Sequence, residues 1–448
     1  MALPSNPHKE TALFSLLLWF FWAGIVSVEG FLLPYLTEQG FSPSQAGLVM
    51  SALFLCAIPG QPFWGHVCDR LDTHRPIFLA VILVGAGALL LVPLAIPRLP
   101  LVIGAVMIYS VTVNSMPGNL DGWIMARRRL VPRIEYGFAR AMGSFGFALC
   151  AIILGTLYDH WGLHLIFPVF GIFAVLAAGV ALCTPDSGSP GISPSWRSCP
   201  PGASDPAWAS PGAADSTDCG TATSGRSPGE SPPSGPGSPP APSSFTQVIR
   251  LVWNHRQYRV FVLCSILLFT AFRATYTFLP LLVAQVGGGN RHIGWAHSVG
   301  AATEIPVMIM AGVLLRRVRP EKTILAAMVI MTIRMSFYAF VGTPGAIIAL
   351  QSLHGLSFGL FLASSVYYIE DIAPAGSKSL FQALAPSMYF GLGSVLGSSL
   401  GGVVVDTLGL RTLFGLAPLG MAGAAVLFYL TSRPGAGRSR RKSLLSRP

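Results

Sequence analysis

Charge is scarce in this chain. Only 10% of its 448 residues are Asp, Glu, Lys or Arg, against roughly 25% in soluble globular proteins. That shortage argues against a soluble enzyme, and the mean hydropathy of +0.60 points to a polytopic membrane protein. Paired-cysteine patterns are missing too. The seven cysteines form no CxxC and no Cys/His cluster, so neither a disulfide framework nor a metal site is expected. No phosphate loop or nucleophile triad stands out, so no enzymatic reaction and no cofactor is expected. Lys9 and Glu10 precede a first apolar stretch long enough to span and stay, so no cleavable signal peptide is expected either.

What the chain does have is apolar length. Twelve apolar stretches can be read, from 12–34 to 412–431, each near the ~20 residues that cross a bilayer. The expected fold class is all-α integral membrane, with twelve transmembrane helices in two six-helix pseudo-repeat bundles, 1–183 and 259–431. Between them, 184–258 is rich in Ser, Pro and Gly, a composition that cannot bury enough surface to fold, and is expected to be a disordered cytoplasmic linker. A basic tail, 432–448, follows. Of the 29 Lys and Arg, only Arg98, Arg291 and Arg411 fall in segments assigned to the outside, and Arg140, Arg273 and Arg334 lie within spans. The rest mark the cytoplasmic side, so both termini are expected to be cytoplasmic in a multi-pass protein of the cell membrane. The net charge of +11 belongs to this asymmetry and does not imply nucleic acid. The partners expected are the lipid bilayer and a small-molecule substrate, with a monomer sufficient for function.

Against this background a few ionisable residues fall deep inside apolar spans: Glu304, Arg334 and His354 in spans eight, nine and ten. A charge at the bilayer centre costs roughly 2.5–3.5 kcal/mol on insertion scales, so it needs a partner, a wet cavity or a role. At ~1.5 Å per residue, Arg334 is roughly 16 Å and His354 roughly 14 Å from the starts of their spans, with Glu304 at similar depth. Glutamate can hold and release a proton, arginine keeps its charge, and histidine titrates in the physiological range. The three are read as a proton-coupling site; a static ion pair locking helices together is the alternative. In the first half, Asp121 and Arg140 lie near the cytoplasmic ends of spans four and five, where an acid and a guanidinium can grip hydroxyls or a carboxylate, or form a gate. Asn119 beside Pro117 and Gly118 interrupts span four, and Trp123 adds an aromatic face; these four are the substrate-binding candidates. Glu29 and Arg273, in corresponding helices of the two halves, are secondary candidates with Gln351 and Tyr276.

After span two comes Gly65-His-Val-Cys-Asp69-Arg70, which resembles the helix 2–3 signature of the major facilitator superfamily and marks a cytoplasmic gate at Gly65, Asp69 and Arg70. Asp72 stands where that signature has its second glycine. Further pieces are Tyr136-Gly137 with Arg140 and Gly143-Ser-Phe-Gly146, then Glu304-Ile-Pro306, Arg334, and Gln351-Ser-Leu-His354-Gly355-Leu-Ser-Phe358-Gly359. Together they resemble the branch containing lactose permease, phenylpropionate permease and nucleoside:proton symporters. The resemblance implies substrate-gripping roles for Asp121 and Arg140 and coupling roles for Glu304, Arg334 and His354. It departs at Ser357, where lactose permease carries its main proton-holding glutamate. Either Glu304 carries the proton, Glu29 or Asp121 shares the work, or coupling is lost.

The leading expectation is proton-coupled symport of a small polar organic solute (a sugar, a nucleoside or an aromatic acid) by alternating access. The alternatives are proton-coupled export of amphipathic compounds and a non-transporting membrane receptor or scaffold.

Overall fold

The computed structural model describes residues 6–186, 255–374 and 378–432. Its helices are α1 (Pro7–Glu38), α2 (Pro43–Leu71), α3 (Arg75–Ala95), α4 (Leu99–Leu130), α5 (Tyr136–Trp161) and α6 (Leu163–Cys183). The second half holds α7 (Arg256–Gln285), α8 (Asn290–Arg317), α9 (Pro320–Tyr338), α10 (Pro344–Ile372), α11 (Leu380–Leu408) and α12 (Leu410–Thr431). Eleven are apolar enough to cross a membrane on composition. The twelfth, α9, is long enough but carries Glu321, Lys322 and Arg334. The described residues contain no strand. The helix α7 starts at Arg256, a few residues before the expected boundary, and Thr184–Asp186 pack against the first half. The rest of the expected linker, 187–254, and the tail from 433 lie outside the described residues, as do the termini's first five residues.

Local sequence explains where these helices begin. Asn6 accepts from the backbone N–H of His8 at 3.1 Å and Lys9 at 3.4 Å, with Pro7 opening the first turn of α1. Ser42 and Gln45 form a capping box around Pro43 at the start of α2. Proline, whose missing N–H costs nothing in a first turn, also opens α3, α4, α9 and α10. Asp72 ends α2 in the left-handed region at φ 51°, the conformation a glycine takes more easily. That is how this chain turns where the superfamily signature has its second glycine.

The two halves are related as repeats, and one detail makes the relation concrete. Both α5 and α11 end on a glycine of nearly identical conformation, Gly162 at φ 91°, ψ 158° and Gly409 at φ 90°, ψ 160°. Three residues before each stands an aspartate, Asp159 and Asp406. Asp406 accepts from Ser44 N at 2.8 Å and Ser42 Oγ at 3.0 Å, so it caps α2 of the other half. Asp159 accepts from Asn290 N and lies 3.9 Å from Arg291, capping α8 of the other half. An anion at a helix N-terminus satisfies orphan N–H groups and the positive dipole end.

Glycine lets the same helices touch. A Cβ on Gly155 would lie 2.6 Å from Asn290 O, and one on Gly402 would lie 2.6 Å from Pro43 O. Both α5 and α11 are pressed between a helix of their own half and one of the other. Gly143 and Gly146 face Trp22 and Trp19 of α1, while Gly393 and Gly397 face α7 at Phe269–Ala274. Ser51 adds a hydrogen bond to Val395 O at 2.9 Å.

These interhalf contacts gather at the end away from the termini. At the terminus-bearing end the halves part. Three successive residues span most of a helix circumference, and Gln61, Pro62 and Phe63 of α2 are all exposed, as are Met308, Ile309 and Met310 of α8. Asp69 and Arg70 are exposed there, and Gly65 faces Asn119 of its own half. In this state the gate residues do not bridge the halves. The first half is instead tied internally. Arg127 meets Glu10 through Nη2–Oε1 at 2.8 Å and Nε–Oε2 at 3.2 Å, and Asp186 caps the start of α3 through Thr73, His74 and Arg75.

Candidate functional site

Beyond the parted end, the second half holds a polar cluster on α8, α9 and α10. At its centre Arg334, on α9, is fully buried at 0% exposure. Its Nη1 lies 2.6 Å from His354 Nδ1 and 3.4 Å from Gln351 Oε1, both on α10. The other ring nitrogen, His354 Nε2, lies 2.9 Å from Glu304 Oε1 on α8. A guanidinium has five donors and no acceptor, so His354 Nδ1 must be the bare nitrogen and Nε2 must carry the hydrogen. The imidazole is therefore a neutral bridge: it accepts from Arg334 and donates to Glu304. Nε and Nη2 of Arg334 have no partner, while the Glu304 side chain remains 25% exposed.

Backbone geometry sets this up. A π-turn at Gly355–Gly359 follows His354 directly. A Cβ on Gly355 would overlap the carbonyl of Thr303, and one on Gly359 would lie 3.6 Å from Glu304 Cα. Gly355 thus lets α10 lie against α8 at the level of Glu304, where a side chain at 359 would make only ordinary contact, and Gly355 N donates to Thr303 Oγ1 at 3.2 Å. Phe358 stacks on the His354 ring at 5.1 Å and 13°, which fixes its plane. Ser357 is buried and donates back to Leu353 O and His354 O, as part of the helix.

Toward the closed end lies a second group. Arg273 on α7 holds its guanidinium 3.8 Å above the ring of Phe54 on α2, a cation–π contact across the halves. Glu29, the last residue before α1 breaks at Gly30, is its electrostatic partner without closing to an ion pair. Arg273 Nε is buried without a partner. Tyr276, one turn on, lies over His354 at 6.3 Å and donates to or accepts from His297 Nδ1 at 2.9 Å. The sequence reading missed His297. The available signal was spacing: it precedes Glu304 by seven residues, two turns along one face.

The first-half candidates divide. Asp121 lies near Tyr136 and faces Arg140 electrostatically without an ion pair, and Arg140 rests over Trp22 at 4.8 Å. Asn119 and Trp123 are not brought to that group. Asn119 donates back to Ser115 O at 3.2 Å. Trp123 is 1% exposed, donates to Pro185 O at 3.2 Å and packs on Phe14 and His74 inside the first half. The physical reason is rotation: two residues along a helix is about 200°, which turns 119 and 123 away from 121.

A family model described as MFS_1 like family matches residues 12–416. The chain is 25% identical over 403 residues to a maltose permease of Geobacillus stearothermophilus, covering 89% of each protein. It is 23% identical over 454 residues to a raffinose permease of Escherichia coli, covering 96% of this chain and 95% of that protein. Among solved structures, the nucleoside transporter NupG superimposes with a TM-score of 0.72 at 14% identity, over 96% of this chain and 100% of that one. With the two six-helix halves, these matches place the chain in the MFS_1-like family, as a multi-pass secondary transporter of small solutes.

Proposed function

We propose that the protein carries a small hydroxylated solute, a sugar or a nucleoside, together with a proton, by alternating access. The observation that carries this reading is the chain of contacts from Arg334 through His354 to Glu304. While Glu304 is ionised, its charge answers that of Arg334 across the imidazole. Protonation at the exposed carboxyl oxygen leaves Oε1 free to keep its bond from His354 but leaves Arg334 a buried charge without a counter-ion. Stranding one member of a buried pair costs roughly 3–5 kcal/mol. That cost is relieved only by repacking α9 and α10 or by admitting water, so proton occupancy and conformation are linked. Glu304 takes the place left open at Ser357.

Asp121, Tyr136 and Arg140 on one wall, and Tyr276 and Glu304 on the other, supply donors and acceptors suited to a polyol, and Trp22 offers a ring face; Gln351, 2% exposed, is held against Arg334 instead. The names of the permease and nucleoside-transporter relatives agree with such a solute. The Lys and Arg distribution favours the terminus-bearing end as cytoplasmic, which makes this an inward-open state of a cell-membrane importer. The site is complete within one chain, so a monomer suffices. The test is uptake of a panel of labelled sugars and nucleosides into proteoliposomes. An imposed inward proton gradient is expected to accelerate uptake at least about tenfold over ionophore-treated vesicles. Uptake indifferent to the gradient overturns the coupling.

A further inference from the structure

The two buried histidines of the cluster differ in one respect that decides what each can do. His354 Nδ1 faces a guanidinium, which can only donate. His354 therefore cannot take a second proton without losing Arg334. His297 Nδ1 faces the hydroxyl of Tyr276 at 2.9 Å. A phenol hydroxyl donates to a bare nitrogen and, after rotating, accepts from a protonated one. His297 can change its protonation state with its partner in place.

Its position suits that ability. His297 is 6% exposed and abuts the break in α1: a Cβ on Gly30 would lie 3.4 Å from its Cδ2 and 3.5 Å from its Nε2. It thus sits where the halves meet at the closed end. Tyr276 lies between the two histidines, edge-on to His297 at 5.4 Å and stacked toward His354 at 6.3 Å. We propose that His297, held by Tyr276, is a second proton-holding residue of the transport cycle, loaded from the end that is closed here and discharging to Glu304. The proposal rests on the proton-coupling reading.

The groups around it fit a residue that loads in one state and unloads in another. From α7 come Tyr276 and Arg273, from α10 His354, from α1 Glu29 beside Gly30, and from α8 itself Glu304. Arg273 opposes a charge on His297, and Glu29 offsets Arg273. Opening the closed end parts α1 and α2 from α7 and α8, draws Phe54 away from Arg273 and admits water to His297. Closing that end removes the water that solvates an imidazolium. In the transfer the imidazolium loses one N–H proton to a water or a solute hydroxyl in the chamber, which passes a proton to the free oxygen of Glu304. Imidazolium and carboxylate become imidazole and carboxylic acid, so charge and protons balance.

The test uses the full chain in proteoliposomes and two modes: gradient-driven uptake, and exchange of solute at equal pH, which needs no net proton movement. His297→Gln keeps a hydrogen-bonding group beside Tyr276 but cannot titrate. It is expected to lower gradient-driven uptake about tenfold or more and leave exchange within about twofold. It should also flatten the dependence of gradient-driven uptake between roughly pH 5 and 8. Tyr276→Phe, which keeps the imidazole and removes its hydroxyl partner, should shift that profile. Wild-type gradient response with an unaltered rate and profile in His297→Gln overturns the relay alone. Equal loss of both modes in both variants also overturns it, by assigning the residues to packing or solute contact. A wild type without gradient response overturns the coupling reading, and the relay with it.

Discussion

Removing the paired aspartates at the closed end should open it. Asp406 caps α2 and Asp159 caps α8, each reaching from the opposite half. Both bonds exist only while that end is shut, so their loss acts on the closed state alone. Replacing an N-cap Asp by Ala costs roughly 0.5–2 kcal/mol. The two caps belong to different helix pairs, so their effects add, to roughly 1–4 kcal/mol. That corresponds to a shift of about five-fold to several-hundred-fold in the ratio of closed to open. Spin labels at Leu94 and Phe340, exposed by 80% and 84% near the closed end of either half and away from the caps, report the separation. In Asp159→Ala/Asp406→Ala the distance distribution should gain a longer component, with each single variant intermediate. An unchanged distribution in the double variant refutes the reasoning that these caps hold the end shut.

Three further outcomes follow from the geometry. Arg127→Ala strands Glu10, a 7% exposed carboxylate, and should destabilise the first half by roughly 3–5 kcal/mol, seen as a lower melting temperature, with Arg127→Lys losing less. Gly355→Ala drives a methyl into the Thr303 carbonyl and should cost roughly 1–3 kcal/mol in the same melt, with a larger loss of gradient-driven uptake than of exchange. His74, between α2 and α3, is held below its ordinary 6.5 by burial, against the opposing pull of Asp186, Asp69 and Asp72. Its unfolded form binds a proton that the folded form resists, so its stability contribution is present above that value and lost as pH falls through it. The melting temperature should drop between about pH 7 and pH 5, and drop less in His74→Gln.

Much of the architecture was legible because burial in a bilayer writes itself as apolar length. The juxtaposition of Glu304, Arg334 and His354 was legible because depth alone brought them to one level. Depth says nothing of rotation, which is why Asn119 and Trp123, neighbours of Asp121 in sequence, point elsewhere. His297 went unread because a histidine near a helix's outer third carries no depth penalty large enough to flag it. The caps by Asp159 and Asp406 were invisible for another reason: each acts on a helix start of the opposite half, and only the three-dimensional repeat shows the pairing. Asp186, the last described residue of the first half and of a composition typical of a linker, owes its role to the N-terminus of α3, more than a hundred residues away in sequence.

The most direct test is proton movement itself. A lightly buffered suspension of proteoliposomes, given a downhill inward gradient of a transported solute and no pH gradient, should turn alkaline as solute enters. Glu304→Gln should abolish that change while solute exchange continues. Solute entry by the wild type without alkalinisation, or alkalinisation undiminished in Glu304→Gln, would contradict the account.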